Sequence, residues 1–191
     1  RAGDDAAGDR PARRMSSMTV TTPTAVAHTI QALQQIKPWD ASSELLECTM
    51  VLDDSADVKT FCFQTAQASW FHYAPGQFIT IEAQIDGKTH TRCYTLSSSP
   101  SRPLCATITV KATGGPVSSW LHQHLKVGDT LRASAPSGIF SFHHHPAHKY
   151  LFLAGGVGIT PLMSMLRTLL DEGYTGQIDF LHYARTAENR L

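Results

Sequence analysis

Residues 150–161, YLFLAGGVGITP, join a short apolar run to a cluster of glycines and a proline. The run Tyr150–Leu153 is continuous, which is typical of a strand buried on both faces of a parallel sheet. The glycines permit positive φ and close approach of a ligand, and Pro161 suits the first turn of a helix, where no donor is needed. A helix over Pro161–Asp171 and a second buried strand over Ile178–Tyr183 follow. The stretch therefore predicts a β-α-β unit of the kind that begins a nucleotide-binding fold.

Upstream of this unit, short alternating apolar runs are separated by turn residues. Asp86-Gly87 is a favoured hairpin pair, and Asp53–Asp57 reads as another turn. Six strands are predicted over Leu46–Leu52, Val58–Thr65, Gln77–Ile85, Thr89–Leu96, Leu104–Ala112 and Thr130–Ala135, with one helix over Ser118–Leu125. Short strands with short connections predict a small antiparallel barrel.

The predicted fold class is therefore all-β plus α/β, in three segments. Residues 1–43 read as a leader, largely disordered, with a weak helical pattern over Pro23–Pro38. Residues 44–146 form the antiparallel barrel, and residues 147–191 begin a parallel-sheet domain. A doubly wound domain needs about five strands and this chain supplies two, so a truncated domain and a fragment are expected.

Composition removes several classes of function. Acidic and basic residues balance at 16 each, which argues against a nucleic-acid or anionic membrane surface. Neither a signal-peptide core nor an apolar run of about 18 residues is found, so a cytoplasmic protein without membrane spans is expected. The run His143–His145 is interpreted as a solvated loop, and no metal site is predicted. The cysteines lack zinc or iron–sulfur spacing, and three of them fall in strands, which is typical of buried small residues; they are Cys48, Cys62, Cys93 and Cys105.

Three short segments carry residue types suited to a phosphorylated, aromatic ligand. Arg92 and Tyr94 lie two residues apart on a strand and share a face, where they can grip a phosphate and cover a flat ring. Residues 114–121, GGPVSSWL, place glycines before a helix start, whose N–H groups and dipole suit an anion. Residues 155–161, GGVGITP, occupy a strand–turn–helix junction, although they match neither G-x-G-x-x-G nor a P-loop. Each segment alone also fits an ordinary strand, cap or turn.

Together, and in this order, the three segments resemble the ferredoxin-NADP-reductase superfamily. Tyr73–Phe78, YAPGQF, is similar to that family's segment before the third strand. In detail, residues 95–100 (TLSSSP) and 127–131 (VGDTL) resemble the reductase components of Rieske-type oxygenases, particularly those acting on betaine-like amines, and hybrid-cluster-protein reductases.

The resemblance implies an FAD site on the barrel. Arg92 would pair with the flavin pyrophosphate, Tyr94 would stack on the isoalloxazine, and Thr95 would hydrogen-bond near its N5. Val117–Ser119 would cradle the pyrophosphate at the helix start, which favours FAD over FMN. No general acid or nucleophile is implied, because the flavin carries the chemistry.

The resemblance also implies a nicotinamide nucleotide site. Thr160 would meet the nicotinamide and reach the flavin, while Arg185 would lie near the adenosine end without deciding between NADH and NADPH. The full set of implied cofactor-binding residues is Arg92, Cys93, Tyr94, Thr95, Val110, Lys111, Gly115, Val117, Ser118, Ser119, Gly156, Thr160, Pro161 and Arg185.

The implied activity is electron transfer from NAD(P)H through FAD to a redox acceptor protein such as an oxygenase component. A 2Fe-2S cluster is expected only beyond Leu191. Two alternatives stay open: an FAD-binding module without turnover, and a reductase that serves a desaturase or a hemoglobin-like domain.

Overall fold

The computed structural model describes residues 36–184. Residues 1–35 of the predicted leader, with most of its helical pattern over Pro23–Pro38, lie outside this range, and so does Arg185. The first part of the described chain contains six strands and a helix: β1 (Leu46–Ser55), β2 (Val58–Thr65), β3 (Phe78–Ile85), β4 (Lys88–Thr95), β5 (Ala106–Lys111), α1 (Pro116–His124) and β6 (Thr130–Ala133).

These six strands form one antiparallel sheet in the order β4-β3-β6-β1-β2-β5. The two outer strands meet where Leu96 bridges Ile108, and the Ser97 amide donates to the Thr107 carbonyl oxygen at 2.8 Å. The sheet thus closes into the predicted barrel, and the closure brings the end of β4 against β5.

Local sequence explains the hairpins. Asp86 and Gly87 both adopt positive φ, 52° and 73°, as the tight turn between β3 and β4 requires. The turn predicted over Asp53–Asp57 was wrong: β1 continues to Ser55, so only two residues turn. This polar stretch stays in the ladder despite two register irregularities in β1, and a 3.3 Å ion pair joins Asp53 to Lys59 of β2.

The barrel interior is apolar, and alternate residues of each strand fill it. On β2 and β5 the inward residues include Phe61, Phe63, Ile108 and Val110, all of which are buried, and Leu121 of α1 packs onto the same core. Residues two apart on these strands share a face, so Thr60, Cys62, Thr107 and Thr109 lie on the opposite, outer face.

The second part of the described chain is the predicted β-α-β unit: β7 (Lys149–Gly155), a 3-10 turn (Gly156–Ile159), α2 (Thr160–Asp171) and β8 (Gln177–Tyr183). The two strands pair in parallel. Phe152 and Ala154 are buried against α2, but Leu151 and Leu153 on the other face are 57% and 58% exposed. Burial on both faces was therefore wrong for β7 in this structure, because α2 covers one face only.

Of the helices between residues 36 and 184, none combines the length and the hydropathy needed to cross a bilayer.

Candidate functional site

A cavity of about 260 Å³ opens between the end of β4, β5, the start of α1 and the turn before α2. Its walls are Arg92, Cys93, Tyr94, Thr95, Thr109, Val110, Lys111, Thr113, Gly115, Ser118, Val157 and Thr160. A second cavity of about 190 Å³ adjoins it, because Thr109 and Thr160 line both. All three segments that suggested a ligand therefore meet at one place.

The β4 wall combines a cation with an aromatic ring. Arg92 and Tyr94 pair with Ile81 and Ile79 of β3. Tyr94 packs against the barrel core, and this burial raises the pKa of its hydroxyl, while the nearby Arg92 charge acts in the opposite direction. Arg92 is exposed, and within residues 36–184 it takes part in no ion pair.

The β5 wall presents a second cation that is already paired. Lys111 Nζ lies 2.8 Å from Asp57 Oδ2, and this contact holds the pKa of the Asp57 carboxyl below its usual range. Arg92 is therefore the charge in this cavity best placed for an anionic ligand.

The start of α1 supplies backbone donors. Gly115 is the N-cap, Pro116 has no N–H, no side chain caps the helix, and its first turn contains no acidic residue. Ser118 Oγ instead donates to the Gly115 carbonyl oxygen at 3.0 Å. Gly115 and Ser118 of this helix start line the cavity, and a helix start next to a cavity is a favourable position for a phosphate.

The turn before α2 forms the remaining wall. Gly156 has a φ of 53°, which permits the tight 3-10 turn between β7 and α2. Thr160 Oγ1 donates to the Val157 carbonyl oxygen at 3.2 Å, so Thr160 and Val157 face the cavity together.

Nine of the implied cofactor-binding residues line this cavity, and five do not. Val117 is buried in the barrel core, while Ser119, Gly156 and Pro161 lie next to lining residues without lining the cavity themselves. Arg185 falls outside the described residues. Cys93 is exposed at the cavity, whereas its position in a strand predicted burial; β4 is an edge of the barrel wall with a largely exposed face.

Three lining residues were missed: Thr109, Thr113 and Val157. Thr109 was detectable, because it shares a strand face with Lys111 two residues later. Thr113 and Val157 reach the cavity through loop geometry that strand periodicity does not reveal.

The histidine run is exposed, within the 3-10 turn Phe142–His144 and the residue after it. In the described part of the chain, no three side chains of His, Cys, Asp or Glu converge as metal ligands.

Polar contacts fix α2 to the segment that follows β4. Ser164 Oγ donates to the Ser98 carbonyl oxygen at 2.6 Å, and Arg167 Nη1 donates to that of Ser97 at 2.5 Å. Arg102 forms a bidentate ion pair with Asp171: Nε donates to Oδ2 at 2.9 Å, and Nη2 donates to Oδ1 at 2.6 Å. The helix that follows the glycine turn is therefore held against the segment that directly follows the strand carrying Arg92 and Tyr94.

The Arg102–Asp171 pair predicts a pH-dependent contribution to stability. The hydrogen bond from Arg102, with a second from Ser99, lowers the pKa of Asp171 below its ordinary 3.8. The pair therefore stabilises the fold above that value and loses its effect as the pH falls through the folded-state pKa. Asp171→Asn should be less stable than the parent at neutral pH, and the difference should shrink below about pH 4, as measured by urea unfolding.

Asp86→Asn is the matched control, because asparagine also tolerates the positive φ of this turn. A stability difference between the parent and Asp171→Asn that stays constant down to pH 3 would contradict the assignment.

Comparison with known proteins agrees with this geometry. The family described as "Oxidoreductase FAD-binding domain" matches residues 46–142, and "Oxidoreductase NAD-binding domain" matches residues 152–191. The chain is 45% identical over 152 residues to the glycine betaine monooxygenase reductase subunit of Pseudomonas aeruginosa, covering 79% of this chain and 42% of that protein. It is 42% identical over 153 residues to the stachydrine N-demethylase reductase subunit of Rhizobium meliloti, covering 80% and 43%.

Among solved structures, the FAD/NAD-binding domain of the nitric oxide dioxygenase of Vibrio cholerae superposes with a TM-score of 0.71 at 29% identity, covering 77% of this chain and 65% of that one. The chain thus spans less than half the length of the curated relatives it matches. The site fits the flavin that such domains bind, since Tyr94 offers a ring surface, and Arg92 and the helix start offer anion-binding groups. The chain belongs to the oxidoreductase FAD-binding domain family, with a ferredoxin-NADP-reductase-like fold.

Proposed function

We propose that the chain binds FAD in the cavity between β4, β5 and α1, and that the protein passes electrons from NAD(P)H through this FAD to a redox partner. The observation that supports this most directly is the meeting of Arg92, Tyr94, Ser118 and Thr160 at one cavity from four separate elements. Residues 44–146 are assigned to the flavin-binding unit, and residues 147–191 to the start of the nucleotide-binding unit.

The residues of this chain bind and orient; FAD, when bound, supplies the hydride acceptor and the electron carrier. Arg92 would bind the pyrophosphate as a charge-assisted donor. The backbone amides of Val117 and Ser118 would donate to the same group, because the Ser119 amide already donates to the Gly115 carbonyl oxygen at 3.0 Å. Tyr94 would cover the isoalloxazine, and Thr95 would hydrogen-bond near its N5. Thr160 would contact the nicotinamide and reach the flavin; its position as a lining residue of both adjoining cavities supports this role.

The acceptor is proposed from the relatives. Two of them are reductase subunits of enzymes named as a glycine betaine monooxygenase and a stachydrine N-demethylase. We accordingly assign this protein as the reductase component of an oxygenase, working in the cytoplasm and delivering electrons through a 2Fe-2S domain outside the present sequence. Both NADH and NADPH are candidate donors.

Reconstitution with FAD tests the proposal. The purified chain is expected to retain FAD through gel filtration and to show the visible flavin band, with FMN retained less well because it lacks the second phosphate. NADH or NADPH is then added without oxygen, and the band is followed.

Bleaching by either nucleotide supports hydride transfer within this chain. A stable yellow colour instead supports the alternative of a flavin-binding module for this stretch, with turnover requiring the longer protein. A chain that elutes colourless, although its circular dichroism shows a folded barrel, contradicts the proposed flavin site.

A further inference from the structure

Two cysteines lie near each other on the outer face of the barrel, where Arg167 of α2 lines the same cavity. Cys62 of β2 is directly opposite Thr107 of β5, and Cys105 stands two residues before Thr107 on the same face. Both side chains line one cavity, which places them on the same stretch of that face. The pair is far apart in sequence, and the pairing of β2 with β5 alone brings it together.

The pair borders a cavity of about 410 Å³ that also contacts Arg102 and Arg167. Cys105 is partly exposed there, whereas Cys62 is buried at 5% exposure. A small solute therefore reaches Cys105 first, and Cys62 stands behind it. Thr60 and Arg167 line both this cavity and the 190 Å³ cavity that adjoins the proposed flavin site. The thiol pair therefore lies along the same groove as that site.

The surroundings favour the reactive form of Cys105. The neighbouring Cys62 thiol and, to a smaller extent, the Phe63 backbone N–H lower the pKa of Cys105 to about 7, although partial burial acts in the opposite direction. The same contact, together with burial, raises the pKa of Cys62. Cys105, the more exposed of the two, is therefore the better placed to act as the thiolate nucleophile.

The backbone allows the two sulfurs to form a disulfide bond. Cys62 is held on both sides, opposite Met50 of β1 and Thr107 of β5. Cys105 precedes β5 and is tied locally by a long 3.4 Å bond from its amide to the Arg102 carbonyl oxygen. A disulfide needs the sulfurs to approach to about 2.05 Å, and this segment can supply that movement without breaking the ladder.

We propose that Cys105 is an oxidation site for hydroperoxides and that Cys62 resolves the product to an intramolecular disulfide. The Cys105 thiolate attacks one peroxide oxygen, the O–O bond breaks, and the leaving oxygen takes a proton from water, which leaves a sulfenic acid. The Cys62 sulfur then attacks the sulfenic sulfur, the S–O bond breaks, and the released hydroxide combines with the Cys62 proton as water. Two thiols lose two electrons, and the hydroperoxide gains them.

Hydrogen peroxide is the probe for the test. The purified chain is treated with a small excess, free thiols are alkylated, and peptides are mapped by mass. Cys62 and Cys105 should disappear from the alkylated pool together, and one peptide cross-linked through Cys62–Cys105 should appear and revert with a dithiol reductant. Cys48, buried on β1, should stay alkylatable after denaturation.

Serine variants assign the two roles. Cys105→Ser should slow oxidation of Cys62 more than about tenfold. Cys62→Ser should stop at a Cys105 sulfenic acid that a dimedone-type reagent traps. Cys48→Ser is the matched control and should form the same disulfide as the parent. Two results with the unmodified chain would overturn the proposal. In one, the exposed Cys93 is oxidised while Cys62 and Cys105 remain thiols; in the other, Cys105 is cross-linked only to Cys93.

Discussion

Gly76→Ala is expected to lower the free energy of unfolding by about 3–5 kcal/mol. Gly76 has a φ of 95°, a conformation that alanine rarely adopts. A methyl group there would also overlap the Phe140 carbonyl oxygen and lie 2.6 Å from Met165 Cε of α2. The first of these is backbone and cannot rotate away, so strain and overlap add. Urea unfolding followed by circular dichroism measures the loss.

Gly87→Ala separates the two contributions. Gly87 also has a positive φ, 73°, but nothing lies within 4 Å of an added methyl group. This control should lose only about 1–2 kcal/mol, from backbone strain alone. Equal losses in the two variants would show that the contact of Gly76 with Phe140 and α2 does not contribute.

Arg92→Ala is expected to weaken FAD binding by roughly 10- to 100-fold, which corresponds to the approximate 1.5–3 kcal/mol of a charge-assisted hydrogen bond. Arg92 is exposed at the cavity and has no ion-pair partner among residues 36–184, so its guanidinium can turn to a phosphate without breaking an existing pair. Flavin fluorescence titration gives the dissociation constant.

Arg132→Ala is the matched control, because it removes an equal charge from an exposed position on β6, opposite Glu82 and away from the cavity lining. It should leave FAD affinity within about twofold of the parent, because β6 lies two strands away from β4 and salt screens an exposed charge there. If both variants lose affinity equally, the effect is one of overall charge and the Arg92 site is contradicted.

The sequence predicted the features that depend on neighbouring residues. The Asp86-Gly87 hairpin follows from its own two residues, and the β-α-β unit follows from the continuous run Tyr150–Leu153 and the glycine turn. Both are confirmed in type and nearly in position. The motif order also predicted the family, since residues 92–95, 115–118 and 155–161 carry the resemblance together.

Features that depend on distant contacts were not predictable in the same way. Gly76 is constrained by Phe140 and Met165, far along the chain, and no local pattern shows this. The pairing of Cys62 with Cys105 depends on the register of β2 against β5. The extent of β1 was misjudged because its acidic end reads as a turn, although this end stays in the ladder and an ion pair joins Asp53 to Lys59.

The side of the β7–β8 sheet that faces away from α2 has a practical consequence for handling the protein. This face exposes four large apolar side chains to solvent: Leu151 (57% exposed), Leu153 (58%), Leu181 (46%) and Tyr183 (69%). Burying an exposed leucine side chain would contribute about 1.5–3 kcal/mol of favourable free energy. Because the two strands are paired, these side chains form one continuous apolar patch that favours association. Preparations of the 191-residue polypeptide should therefore oligomerise as they are concentrated and disperse in mild non-ionic detergent.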